Sequence, residues 1–276
     1  MVKFLIVGNG FIGQYLEANL PDSMHYKAKL RSKQDIEDLV EDFQSATIVN
    51  CAGKTGRPNI DWCEDHKEET FKANVLLPTM IAEVCHEKKI HWIHIGSGCI
   101  YNGYDKRWME DDAPNFYGSF YSRTKIWSQE ILEYYGNAAI LRIRMPIDDK
   151  FHERNYIRKI VQYAKAGNKL FSLPNSMTYL EDLKRFIEHT REHGLTGTWN
   201  IVNNGKITAE EVLEIYKAQI EPTFKYKIST YAETSETFKA PRSNCVMSND
   251  KLMTVDFKMP EIKTRIKEAL DIHGLR

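Results

Sequence analysis

Lys3-Phe4-Leu5-Ile6-Val7-Gly8-Asn9-Gly10-Phe11-Ile12-Gly13 joins a short apolar run to a glycine-rich turn. Four consecutive apolar residues that stop at a glycine read as a buried strand, and the stretch after them, residues 11–19, has helical spacing. G-x-G-x-x-G between a strand and a helix is the context in which the pattern carries a mechanism. Gly8 permits the tight turn, Gly10 lets backbone amides approach a pyrophosphate, and Gly13 lets the helix lie close on the strand. The positive end of the helix then faces the anion.

Working outward, apolar runs at residues 25–30, 47–50, 90–95 and 138–142 read as further strands, with amphipathic stretches at 35–43, 67–87 and 120–135 between them. Strands alternating with helices imply a doubly wound, Rossmann-like α/β fold built on a parallel sheet. After Met145-Pro146 the rhythm loosens. Helices are expected at 155–166, 179–193 and 209–218, a turn at 174–176 and a strand at 198–202. We read residues 1–145 as the dinucleotide-binding domain and 146–276 as a smaller α/β lobe that closes over substrate. The boundary is soft, since later strands can return to the main sheet. There is no internal repeat and no low-complexity tract.

Composition excludes several classes of function. Lys plus Arg and Asp plus Glu are equal at 38 each, which leaves no broad basic face for nucleic acid or an anionic membrane. The five cysteines are Cys51, Cys63, Cys85, Cys99 and Cys245; they form no CxxC pair, so neither a disulfide framework nor a metal site is expected. No signal-peptide pattern and no apolar stretch near the roughly 18 residues of a membrane span are visible. The expectation is a soluble, cytoplasmic protein.

Candidate cofactor residues follow from the turn: Gly8, Asn9, Gly10, Phe11, Ile12 and Gly13. The end of the second strand, Lys27-Ala28-Lys29-Leu30-Arg31-Ser32-Lys33, lacks the carboxylate that holds an NAD ribose. Its cations favour a 2′-phosphate, hence NADPH over NADH, with Arg31 and Lys33 as candidates and Asp35 as a contact to ribose or adenine. At least one of Lys27, Lys29 and Lys33 belongs to a solvated face. Ala52, Gly53 and Met145, each after a strand, complete the expected cofactor surface.

Tyr121-Ser122-Arg123-Thr124-Lys125 puts a phenol and an ammonium on one helix face. A cation beside a phenol favours its ionised form and eases proton exchange with a carbonyl or alcohol oxygen. Ser97 ends the fourth strand at the sheet edge where such folds hold ligands, placed to hydrogen-bond a substrate carbonyl.

Glycine turn, strand-end serine and Tyr/Lys helix occur here in the order and spacing of the extended short-chain dehydrogenase/reductases, which the chain resembles over nearly its whole length. Within them it is similar to the dTDP-4-dehydrorhamnose reductase branch, above all the bifunctional epimerase/reductases that form the C-terminal half of plant rhamnose synthases. The strings that carry this run from Ala52 to Glu64 (AGKTGRPNIDWCE), then Gly98-Cys99-Ile100, Pro114-Asn115-Phe116, Gly118-Ser119-Phe120-Tyr121-Ser122, Arg144-Met145-Pro146-Ile147, Leu173-Pro174-Asn175-Ser176-Met177-Thr178 and Ala240-Pro241-Arg242-Ser243-Asn244. The resemblance implies a UDP-sugar substrate, with Arg57, Asn59, Trp62, Asn175 and Arg242 around it. Arginines suit a diphosphate and asparagines suit sugar hydroxyls or a uracil edge. It also implies that Cys99 works as a proton carrier opposite Lys159, because inverting a carbon beside a ketone needs a group on each face of the ring.

The implied activity is 3,5-epimerisation and NADPH-dependent 4-reduction of UDP-4-keto-6-deoxyglucose to UDP-L-rhamnose, fed by a separate 4,6-dehydratase. A 4-reductase alone, acting on a dTDP- or UDP-linked keto-rhamnose, is the rival enzyme. A non-catalytic nucleotide-binding protein on the same fold is the rival from another class. A homodimer stays open as the assembly.

Overall fold

A computed structural model describes residues 2–43, 46–150 and 152–271. In chain order the first half runs β1 (Phe4–Val7), α1 (Phe11–Asn19), β2 (Ser23–Tyr26), α2 (Lys33–Asp42), β3 (Thr47–Asn50), α3 (Trp62–Asp65), α4 (Lys67–Phe71), α5 (Leu77–Glu87), β4 (Trp92–Ser97), β5 (Gly103–Trp108), α6 (Phe120–Tyr135) and β6 (Ala138–Ile143). The second runs α7 (Tyr156–Lys165), β7 (Lys169–Phe171), α8 (Leu180–Glu192), β8 (Gly197–Asn200), α9 (Ala209–Gln219), β9 (Lys227–Ser229), α10 (Tyr231–Ser235), β10 (Cys245–Met247) and α11 (Ile262–Asp271).

Six strands form one parallel sheet in the order β2-β1-β3-β4-β6-β8. The order reverses between β1 and β3, so the crevice outside their carboxyl ends is the place where a ligand fits. Strand residues alternate between two buried faces. Leu5, Val7, Ile48 and Ile140 pack against α2, α5 and α6, whereas Ile6, Val49, Ile93 and Leu141 pack against α1 and α8. The expected doubly wound architecture is therefore present.

A third core gathers Ile147, Ile157, Val161, Ile207, Val212, Leu213, Ile262 and Ile266. The chain after residue 146 serves both this core and the main one, since β8 extends the main sheet and Phe186, Trp199, Leu252 and Phe257 pack under it.

Some boundaries differ from the sequence reading. The second strand, expected at 25–30, is Ser23–Tyr26, because an edge strand can ladder only as far as its one neighbour, four-residue β1. The fourth, expected at 90–95, is Trp92–Ser97, since β4 stays paired with β6 up to Ser97 opposite Ile143. The helix expected at 67–87 contains a wider π-turn over Lys72–Leu76. The parallel pairs β5–β10 and β7–β9 were not foreseen; each joins segments more than fifty residues apart and has no local signal.

Candidate active site

The sheet brings together the ends of β1, β3, β4 and β6. Gly8 has φ of 106°, and a Cβ there would meet the Ala52 amide nitrogen at 2.4 Å. A Cβ on Gly13 would sit 1.9 Å from the Gly8 carbonyl oxygen, so helix and turn touch backbone to backbone. A Cβ on Gly10 would meet nothing within 4 Å. That open side faces the start of α1, whose N-cap residue Gly10 supplies no side-chain hydrogen bond. The turn therefore has the form of a pyrophosphate cradle: free amides, a helix N-terminus and space. His25 braces it, with Nε2 3.1 Å from the Gly8 oxygen and Nδ1 3.0 Å from Glu17. Phe11 stacks on His152 at 4.8 Å. Asn9 and Ile12 flank this turn, and Met145, in the left-handed backbone region at φ 39°, follows β6.

Farther along the crevice, Asn50 Oδ1 accepts from the Ala52 amide, while Asn50 Nδ2 lies 3.1 Å from Nδ1 of buried His94. Burial, then the charge of Lys125, keeps His94 well below the usual histidine range. Asn74, within the π-turn, binds both the amide and the carbonyl of Lys54 and donates to Thr124. The loop from Ala52 to Lys54 is thus held at one end by Asn50 and at the other by Asn74.

The residues expected to bind the adenosine end divide. Arg31 is exposed, with its backbone amide bonded to Asp35. Lys33 is drawn away by Glu83 and Glu87 on α5, each at 2.9 Å. Asp35 closes a capping box with Ser32 at the start of α2, and its carboxylate accepts from the amides of Arg31 and Ser32. Its role in the fold is helix capping, which the serine three residues earlier signals in the sequence.

The catalytic candidates converge. Ser119 caps α6, and the next turns aim Tyr121 and Lys125 inward. The Tyr121 hydroxyl donates to Ser97 Oγ at 3.4 Å, and Lys125 Nζ donates to the Ile95 carbonyl at 3.2 Å. All three side chains are buried. Cys99, half-buried, is pinned by its backbone: its amide donates to Ser97 Oγ and its carbonyl accepts from Ser122 Oγ.

Electrostatics correct one expectation. Burial, joined by the nearby Cys99 sulphur, pushes the Tyr121 phenol up rather than down. Lys125 is itself pushed down to about 8 by burial. Desolvation disfavours the charged form of both groups and is the largest cause of each shift. Near neutral pH the pocket therefore holds a protonated phenol, the form that can give a proton to a developing alkoxide.

Arg144 was not foreseen as a site residue. It is fully buried at the end of β6, and its guanidinium donates to the Gly98 carbonyl, Ser243 Oγ and carbonyl, Asn175 Oδ1 and, at 3.7 Å, Cys99 Sγ. Burial opposes its charge, and the sulphurs of Cys245 and Cys99 outweigh that and raise it. The signal lay in the strand itself, where Arg142 and Arg144 alternate with apolar residues and must point to one buried face.

Substrate candidates form a second wall. Arg242 makes a two-pronged pair with Asp61, both contacts at 2.7 Å, and lies over the Phe238 ring. Burial pulls the Asp61 carboxyl up, but Arg242 outweighs it and holds the group below its usual range. Asn59 Oδ1 accepts from the Asp61 amide, and Arg242 Nη2 reaches it at 3.4 Å. Trp62 stacks on His66 at 3.9 Å. Arg57, at the surface, pairs with Glu153 at 2.7 Å.

One assignment does not fit the geometry. Asn175 is buried behind Arg144, and its amide has used all four hydrogen-bonding positions on Arg144, the Cys245 amide, the Leu173 carbonyl and Asn244. Nothing is left to read a sugar, so Asn175 supports Arg144. Burial, then the charges of Arg154 and Arg242, lowers Lys159 below the usual lysine range. Among the described residues no group of three or more His, Cys, Asp or Glu could hold a metal, and no helix is long and apolar enough to cross a membrane.

Comparison with known proteins agrees with this geometry. The profile described as RmlD substrate binding domain matches residues 2–274. The chain is 38% identical to the bifunctional dTDP-4-dehydrorhamnose 3,5-epimerase/dTDP-4-dehydrorhamnose reductase of Arabidopsis thaliana, over 97% of this chain and 91% of that protein. It is 40% identical to a trifunctional UDP-glucose 4,6-dehydratase/UDP-4-keto-6-deoxy-D-glucose 3,5-epimerase/UDP-4-keto-L-rhamnose-reductase of the same plant, over 98% of this chain but only 41% of that one. Among solved structures, the L780 UDP-rhamnose synthase of Acanthamoeba polyphaga mimivirus superposes with a TM-score of 0.91 at 29% identity, covering 98% of this chain and 99% of that one. A dTDP-4-dehydrorhamnose reductase of Bacillus anthracis, solved with NADP, shares the fold, with a TM-score of 0.82 at 18% identity over 98% of both chains.

Proposed function

The chain belongs to the RmlD substrate binding domain family, and from that premise we propose that it reduces the C4 ketone of a UDP-linked 4-keto-6-deoxyhexose with NADPH, after inverting C3 and C5, to give UDP-L-rhamnose. One observation carries the reading. Ser97, Cys99, Tyr121 and Lys125 gather between the carboxyl end of β4 and the first turns of α6, on the side of the sheet edge where the open glycine turn follows β1.

The cofactor, held by the amides around Gly10 and the Ala52–Gly53 backbone, supplies the hydride. The cations at the end of β2 favour the 2′-phosphate form; Arg31, together with exposed Lys29, is the residue we assign there, because Lys33 is bound elsewhere. Ser97 and Tyr121 hold the C4 oxygen. Tyr121, kept protonated by burial, gives that oxygen its proton as the alkoxide forms, and Lys125 supports the phenol from below. Before reduction the same two hydroxyls hold the enolate oxygen while Cys99 works on one face of the ring. Lys159, whose burial favours the neutral amine, works on the other. Arg57 and Arg242 take the diphosphate, exchanging Glu153 and Asp61 for it, with Asn59 and Trp62 beside the sugar nucleotide. A separate 4,6-dehydratase supplies the keto sugar.

Purified protein should oxidise NADPH when given UDP-4-keto-6-deoxyglucose and release UDP-L-rhamnose by NMR. In deuterated water, solvent deuterium should enter C3 and C5, and Cys99→Ala should abolish that exchange while cofactor still binds. Turnover only of a keto sugar already epimerised would reduce the assignment to a 4-reductase. Turnover of simple alcohols but of neither sugar would remove it.

A further inference from the structure

The head of Arg144 is one of the least expected features of the pocket. A buried cation is normally met by a carboxylate, because an unpaired buried charge costs several kcal/mol. Among the described residues no carboxylate is bonded to Arg144. Its partners are three oxygens of neutral groups in Gly98 and Ser243, the Asn175 amide oxygen, and the sulphur of Cys99. Its Nε has no hydrogen-bond partner among the described residues.

The surrounding chain is built to keep it there. A Cβ on Gly98 would lie 2.8 Å from Arg144 Cγ, so the residue before Cys99 must be glycine for the arginine stem to pass. Thr178 Oγ1 accepts from the Arg144 amide, and the Thr178 amide donates back to the Arg144 carbonyl. Ser243 Oγ, which receives the guanidinium, donates in turn to the Tyr101 carbonyl. Segments near residues 98, 144, 175 and 243 thus converge on one guanidinium whose only ionisable hydrogen-bonding neighbour among the described residues is a thiol.

We propose that Arg144 is a positioning residue for Cys99, fixing the sulphur at the pocket edge and supplying the counter-charge when the sulphur is anionic. The inference rests on the reading of Cys99 as a proton carrier. Arg144 itself exchanges no proton. Its N–H donates to the anionic sulphur; when the sulphur takes a ring proton, an S–H bond forms, the C–H bond breaks, and the negative charge passes to the enolate oxygen between Ser97 and Tyr121.

The test needs no substrate. Full-length protein is treated with iodoacetamide, and alkylation of the Cys99 and Cys51 peptides is followed by mass spectrometry. Cys51, also half-buried but beside Lys125 rather than Arg144, is the internal control. Arg144→Met should slow alkylation of Cys99 about tenfold, the effect of one lost charge-assisted contact, with the Cys51 rate unchanged. Arg144→Lys, which keeps the charge and fits the same space, should recover part of the loss. A merely structural arginine would give the opposite result, with Cys99, Cys51 and buried Cys63 all reacting faster as the fold loosens, and that outcome overturns the proposal. Where Arg144→Met does not fold, Arg144→Gln, which removes the charge but keeps a hydrogen-bonding head, decides in its place, since a Cys99 rate equal to that of the unaltered protein overturns the proposal too. Loss of deuterium exchange in Cys99→Ala tests the role of the sulphur separately, so the two ideas fail independently.

Discussion

The two walls of the pocket treat charge in opposite ways. On the inner wall, Lys125 and Arg144 are buried with no carboxylate among the described residues hydrogen-bonded to either, and their partners are carbonyls, a hydroxyl, an amide and a sulphur. On the outer wall, Arg57 and Arg242 are each matched to an acid, Glu153 and Asp61. An unmatched buried cation keeps its field for charge that develops during reaction, at a cost to stability. A matched, half-exposed cation costs little and can exchange one anion for another. We propose that the inner wall is arranged for chemistry and the outer wall for binding.

Substitution at Lys125 is the strongest attempt to break that contrast. Lys125→Met should lower NADPH oxidation by about 10² to 10³-fold, in the range of a lost acid–base partner. Stability should not fall with it. Because the folded value of about 8 lies below the ordinary 10.5, the cost of burying the ammonium is fully present below about pH 8 and is relieved as pH rises toward 10.5. The substitution removes that cost at neutral pH, so thermal unfolding at pH 7 should occur at an equal or higher temperature. In the unaltered enzyme the reduction rate should decline above about pH 8 as the ammonium is lost; a rate flat to pH 10 would contradict the support given to Tyr121.

Arg242→Ala should act on the other side of the contrast. We expect KM for the sugar nucleotide to rise about tenfold with kcat nearly unchanged, the pattern of lost uniform binding. A fall in kcat of similar size would move Arg242 to the catalytic wall. Glu153→Ala should have the smallest effect. Its pair with Arg57 is exposed, and such pairs are worth about 0.2–1 kcal/mol, so unfolding should barely shift. Freed of its partner, Arg57 should lower KM by about twofold, and a raised KM would show that Glu153 holds Arg57 in place rather than occupying it.

The cofactor side of the site was legible because its chemistry is local. Strand, turn and first helix lie within residues 3–19, and the glycines at 8, 10 and 13 state their requirements in backbone geometry alone. The Tyr121/Lys125 pair was equally visible, being one helical turn apart. The protonation state of that pair was not, because it depends on how much water the surrounding sheet and helices remove. Nor were the partners of Lys33 and Asn175, which are set largely by residues tens of positions away.

By itself the sequence determined the parallel α/β plan, the place of the pyrophosphate turn and the identity of the serine, tyrosine and lysine, since periodicity and short spacing are properties of neighbouring residues. Tertiary structure alone decided that Asn175 serves Arg144 and not a sugar, that Lys33 and Asp35 are bound within the protein, and that Cys99 faces a buried guanidinium. Those outcomes depend on desolvation and on contacts between segments distant in the chain, and neither is encoded at any single position.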